Sequence, residues 1–137
     1  MKIAIRYYSR SKKGNTKKLA NTVSDALGIP ALEVDADLTE RVDRLFLLNA
    51  MYASDVDAGI KEFLARNRDK IGEVINMNTS ATGRSTRNAI KRETDKLGIA
   101  LSEKEFHCAA SWIFINKGLP SDDDLNRAAQ FAKSLTE

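Results

Sequence analysis

Between an alternating apolar stretch and an amphipathic one, residues 9–16 read Ser-Arg-Ser-Lys-Lys-Gly-Asn-Thr. Hydroxyls and a glycine entering a helix are the materials of an anion site. The first N–H groups of a helix have no intrahelical partner, and its dipole places partial positive charge at the same end. A phosphate group is the natural occupant. Little else in the chain suggests acid–base or nucleophilic work. His107 and Cys108 alternate along one stretch and so face opposite ways, neither with a visible partner, and both read as packing residues. Cys108 is the sole cysteine, which excludes an internal disulfide and a cysteine-based metal site.

The elements that must position this loop follow from hydrophobic period. Lys2–Tyr8 alternates, with Ile3 and Ile5 on one face, and predicts a first strand. Leu19, Ala20, Val23, Ala26 and Leu27 recur at helical spacing until Gly28 and Pro30 stop the run. Ala31–Asp35 predicts a short second strand. Arg44–Asn49 is apolar without alternation and predicts a third, covered on both faces. A helix follows from about Asp57, with Ile60, Phe63 and Leu64 inward. Gly72–Asn78 predicts a fourth strand and Thr79–Ser85 a small-polar loop. Thr86–Leu97 predicts a helix with Ala89, Ile90 and Leu97 on one side, and Glu105–Ser111 a fifth strand. Ser121 opens the last helix, with three aspartates on its positive end and Leu125, Ala128, Ala129, Ala132 and Leu135 toward the core. Only Ala36–Asp43 separates strands two and three, so that crossover holds at most a stunted helix.

This alternation over residues 1–137 predicts one α/β domain: a doubly wound, five-stranded parallel sheet in the order 2-1-3-4-5, with helices on both faces. Ligands of such sheets bind at the carboxyl ends of strands 1 and 3, where the order reverses. Three loops rich in small polar residues meet there: Ser9–Thr16, Asn49–Asp55 and Asn78–Ser85. Charge agrees with an anionic ligand. The net charge is +3, yet residues 1–18 carry seven cations and no acid, leaving 15 basic and 19 acidic residues elsewhere. The cations do not form an aromatic-interleaved stripe, so nucleic acid is not expected as a partner. No apolar run reaches the ~18 residues of a membrane span and no signal peptide opens the chain, so a cytoplasmic location is expected.

Rival chemistries of such folds lack their residues here. A phosphoacceptor domain needs acids after strand 1 and an aspartate ending strand 3; those places hold Tyr8–Ser9 and Asn49. A small tyrosine phosphatase needs a cysteine in the first loop. A nucleotide triphosphatase needs lysine and a hydroxyl after the glycine, where Asn15 and Thr16 stand, and one glycine does not make a dinucleotide fingerprint.

Tyr7–Ala20, with S-R-S-K-K-G-N-T at its centre, resembles the phosphate loop of flavodoxins. N-A-M-Y-A-S, N-T-S-A-T-G-R and I-N-K-G-L-P-S-D-D-D-L resemble, in order, the second and third flavin loops and the end of short members of that family. The resemblance spans nearly the whole chain. It implies a bound flavin mononucleotide (FMN), with Ser9, Ser11, Gly14, Asn15 and Thr16 on the phosphate. The isoalloxazine ring would lie against Asn49, Ala50, Met51 and Tyr52 and against Asn78, Thr79, Ser80, Ala81 and Gly83. Tyr52 is the candidate to stack on one flavin face, and Trp112 borders the same edge. The implied activity is electron transfer, with a redox protein or a quinone-type acceptor as partner. The alternative is an interaction module of the same fold without flavin. Against the family pattern, the first loop either carries two extra residues or places Lys13 where threonine is usual. An outward bulge is the expected solution.

Overall fold

The computed structural model describes residues 1–10, 14–111 and 117–136. Strand β1 (Ile3–Tyr7) leads into α1 (Asn15–Leu27), then β2 (Ala31–Glu33) and β3 (Val42–Ala50). Helix α2 (Ala58–Arg66) ends in a 3₁₀ turn over Arg68–Lys70 and returns as β4 (Ile71–Ser80). Helix α3 (Arg87–Leu97), β5 (Ala100–Leu101), β6 (Phe106–Ala109) and α4 (Asp122–Ser134) complete the order. The sheet runs β2-β1-β3-β4, with β5 and β6 both paired to the outer side of β4, and every named strand pair is parallel.

Register explains the two layers. Ile5 is level with Phe46, and Phe46 with Ile75. With side chains alternating, this row and the row of Tyr7, Leu48 and Met77 point to α1 and α4, where they meet Leu19, Val23, Ala128 and Ala132. The intervening Ala4, Leu45, Leu47 and Val74 face α2 and α3 and pack on Ile60, Phe63, Leu64 and Ile90. Strand β3 is buried on both faces, as its unbroken apolar sequence requires. Phe106 of β6 meets Phe131 of α4 with ring centroids 6.1 Å apart. Gly28 and Gly98 close α1 and α3 in the left-handed conformation.

Two differences from expectation have physical causes. The fifth strand is split: Ala100–Leu101 pairs with Glu73–Val74, and Phe106–Ala109 with Met77–Ser80. A two-residue strand is too short to carry a period. Strand β4 runs on through Thr79 and Ser80, because Ala50 of β3 and Cys108 and Ala109 of β6 lie level with them and complete the ladder. Residues 34–41, expected to hold at most a stunted helix, contain none. There Arg6 of β1 lies buried and donates to the carbonyls of Ala36 at 2.8 Å and Asp37 at 3.2 Å. Burial lowers its pKa, with the Asp37 carboxylate opposing that shift. From the end of α2, Arg66 donates to the Val34 carbonyl, Lys70 to that of Leu38, and Asn67 accepts the Leu38 N–H. One buried guanidinium and the polar end of a neighbouring helix thus hold the shortened crossover.

Candidate functional site

At the carboxyl ends of β1, β3, β4 and β6 the loops enclose a cleft of about 760 Å³, within the size range of small-ligand pockets. Its floor is the start of α1. Gly14 is the N-cap, in extended conformation, and has no side chain to cap the first turn, which itself carries no acidic residue. Thr16 in that turn is buried, and its hydroxyl lies 3.1 Å from the Thr79 hydroxyl. When Thr79 is the donor of that bond, the Thr16 hydroxyl hydrogen is free for a ligand. Asn15 reaches across the cleft, its amide donating to the carbonyl and the hydroxyl of Ser111, each at 3.1 Å.

The second wall is a tight hairpin. Tyr52 and Asp55 exchange backbone hydrogen bonds of 2.7 and 3.0 Å, and Ala53 and Ser54 between them have φ of 52° and 67°. Positive φ at both central residues is the type I′ turn, adopted here without glycine or asparagine. Asp55 fixes the turn to the helices behind it, at 2.7 Å from Lys61 and 3.7 Å from Arg92. The Lys61 hydrogen bond holds its carboxyl below the ordinary range. Tyr52 ties this wall to the first loop. The Arg10 guanidinium lies 3.6 Å from the Tyr52 ring centroid, and its Nε is 3.4 Å from Asp57, the N-cap of α2. Burial pushes the Tyr52 phenol up, with Arg10 opposing the shift.

The third wall is Thr79–Thr82, followed by a loop pinned to the strand that precedes it. Asn78 donates to the Arg84 carbonyl at 2.9 Å and accepts from the Thr86 N–H at 3.1 Å, and the Ser80 hydroxyl donates to Arg84 at 3.0 Å. Beneath lies a buried polar cluster. Asn49 donates to Asn76 at 2.8 Å, Thr86 donates to Asn49 at 2.6 Å, and Asn76 donates back to Thr86 at 3.2 Å.

Of the residues singled out in the sequence, Ser9, Gly14, Asn15, Thr16, Ala50, Met51, Tyr52, Thr79, Ser80 and Ala81 line the cleft. Asn49 and Asn78 are fully buried below it and shape it indirectly. Gly83 lies beside it, with φ 77° and its α-carbon side against Ala109. Ser11, Lys12, Lys13 and Trp112 lie outside the described residues. His107 is not a packing residue: its side chain is 41% exposed, and Nδ1 is 2.7 Å from the Gly83 carbonyl. Arg10, Ala53, Ser54 and Thr82, all within the three expected loops, line the cleft as well; sequence reasoning missed Ala110–Ser111, which follow β6. The parallel order itself carried a signal for the last pair, since it brings the end of the outermost strand to the same edge.

No protein-family profile matches the chain, and no curated protein matches it by sequence. Solved structures do. A flavodoxin from the domain Archaea superposes with TM-score 0.73 at 11% identity, covering 98% of this chain and 96% of its own. Flavodoxin 1 from Bacillus cereus gives 0.69 at 14%, covering 98% and 95%. A Fusobacterium nucleatum flavodoxin bound to flavin mononucleotide gives 0.68 at 13%, covering 99% and 98%. The architecture is the doubly wound fold of flavodoxins, end to end.

Proposed function

We propose that the chain binds flavin mononucleotide in this cleft and carries electrons between redox partners, a protein or a quinone-type acceptor. The observation that carries the reading is the meeting of an uncapped, acid-free helix N-terminus with two small-residue walls on one cleft of about 760 Å³. The donor set suits a phosphate, which the first-turn N–H groups and the Thr16 hydroxyl would hold. Tyr52, with Arg10 on one face of its ring, would offer the other face to the isoalloxazine, opposite Thr79–Thr82. Flavin supplies the electron chemistry when bound, and the protein around it sets potential through stacking, hydrogen bonds and charge. Arg10 holds a cation against the stacking residue, 3.6 Å from its ring centroid. The flavin-bound Fusobacterium structure supports the reading through shared fold.

Titration with FMN and riboflavin tests it. FMN is expected to bind far more tightly, because riboflavin forfeits the charge-assisted bonds at the helix end. Thr16→Ala should weaken FMN by about 10- to 100-fold, the worth of a hydrogen bond to a charged group, and leave riboflavin unchanged. Equal affinity for both flavins would remove the loop as the phosphate site. Failure of both to bind would favour an interaction module of this fold.

A further inference from the structure

Among the described residues that line the cleft, Arg10 is the only charged one. Its guanidinium lies 3.6 Å from the centroid of the Tyr52 ring, and a hydrogen bond from its backbone to the Tyr52 phenol ties the two residues a second time. Two carboxylates stand behind the same wall, and each is already engaged. Asp55 faces Lys61 at 2.7 Å and Arg92 at 3.7 Å. Asp57 lies 3.4 Å from the Arg10 Nε, but it also caps α2: its other oxygen accepts the Gly59 N–H at 2.9 Å and faces the positive end of the helix dipole. At the Tyr52 phenol, where burial raises the pKa, the opposing pull of Arg10 outweighs the push of Asp57. The nearby charges thus leave this ring under a net positive influence.

That charge distinguishes two states of a flavin. The oxidised isoalloxazine is uncharged, and taking up two electrons and one proton makes it an anion at neutral pH. Reduction also makes the ring electron-rich, and an electron-rich ring stacks poorly on the negative face of a bare tyrosine. A cation on the far face draws the tyrosine's π density toward itself. The guanidinium therefore acts twice in one direction. It attracts the reduced ring by charge, and it lessens the repulsion between two electron-rich faces. The oxidised ring gains from neither effect.

We propose that Arg10 sets the redox preference of the cleft: acting through the Tyr52 ring, it favours the reduced, anionic form of the bound flavin over the oxidised form. The electrons come from a redox-protein donor and the proton from solvent, and no bond of the protein changes. A cleft with this bias takes up electrons more readily than the same cleft without Arg10. Arg10 is a positioning residue rather than a catalytic one, because the Tyr52 ring stands between it and the flavin. The inference rests on the flavin reading above.

Anaerobic titration with oxidised FMN, and with FMN reduced beforehand by dithionite (itself oxidised to sulfite), gives the ratio of the two affinities. Arg10→Gln should lower the affinity for reduced FMN relative to oxidised FMN by about three- to tenfold, the worth of a partly exposed cation–π contact. A tenfold change in that ratio is a fall of about 30 mV in the two-electron midpoint potential. Arg10→Lys keeps the charge and should keep most of the ratio. In the ligand-free protein, nuclear Overhauser contacts between the Arg10 side chain and the Tyr52 ring protons should report the stack itself. An unchanged ratio in Arg10→Gln, equal losses in Arg10→Gln and Arg10→Lys, or absence of those contacts would overturn the inference and leave the flavin reading standing. Failure of the wild type to bind FMN in either state would remove the flavin reading, and this inference with it.

Discussion

Asn49 shows what a single side chain can do beneath a site it never touches. Its amide closes a ring of hydrogen bonds with Asn76 and Thr86, joining the ends of β3 and β4 to the start of α3. Every member is buried, so removing one orphans the others. Asn49→Leu, which fits the volume, should cost about 2–3 kcal/mol, the penalty for unsatisfied buried polar groups, read as a drop in urea midpoint at unchanged slope. An effect under about 0.5 kcal/mol, the size of ordinary surface changes, would mean the cluster holds nothing together. Cys108 is the opposite case, a residue with chemistry that the fold silences. Burial, with the Asp124 charge adding to it, pushes its thiol up to about 11. A thiol reagent at pH 8 should leave the folded protein unmodified and react promptly once urea unfolds it, because only the thiolate attacks. At this scale the sequence was half legible. Thr16 and Tyr52 announce themselves by position in a loop, whereas Asn49 looks like a loop residue and His107 like filler, because their partners are 27 and 24 positions away.

Secondary elements were read best where period and punctuation agree. Helix α2 turns Ile60, Phe63 and Leu64 inward as its spacing requires, and α4 begins at Ser121 with a reciprocal cap: the Ser121 hydroxyl accepts from the Asp124 N–H, and Asp124 accepts from the Ser121 N–H. That backbone bond is the first reason the Asp124 carboxyl lies below its ordinary range, with Arg127 close against it. A carboxyl lowered on folding stabilises the fold above its unfolded pKa, and the contribution disappears as pH falls through the folded value. Asp124→Asn should therefore destabilise the protein at neutral pH, by about 1 kcal/mol on the scale of cap losses, and by less near pH 3, a convergence that urea melts at the two pH values would reveal. An offset that stays constant would assign the effect to packing instead. Period fails where an element is too short or has been replaced. Nothing in Ala100–Leu101 signals a strand, and no pattern says that Arg6, alternating among apolar residues, lies buried in place of a crossover helix. Its role depends on carbonyls at Ala36 and Asp37, thirty positions on.

For the molecule as a whole, the strand order followed from alternation and short connections, and the place of the cleft followed from that order. The charge distribution adds a test at this scale. The cation-rich first 18 residues of the sequence include the start of α1, and helix and side chains contribute positive potential of one sign there. Raising ionic strength from about 20 to 200 mM shortens the screening length by roughly threefold. It should weaken FMN several-fold while leaving riboflavin, which has no phosphate charge, almost unaffected. Parallel salt responses for the two flavins would locate the phosphate away from this field.

The split outermost strand has a different consequence. The free edge of a sheet is a template on which another chain can extend the ladder, and a long flat one invites fibrils. Here the outer edge offers two residues, a break over Ser102–Glu105, and then four more. Glu103 and Lys104 stand exposed in the gap, and the opposite edge, β2, is three residues long. Among the described residues a visiting strand would find no run long enough to zip onto and would bury charge in trying. The irregularity that hid β5 from the sequence thus helps keep copies of the protein from joining edge to edge.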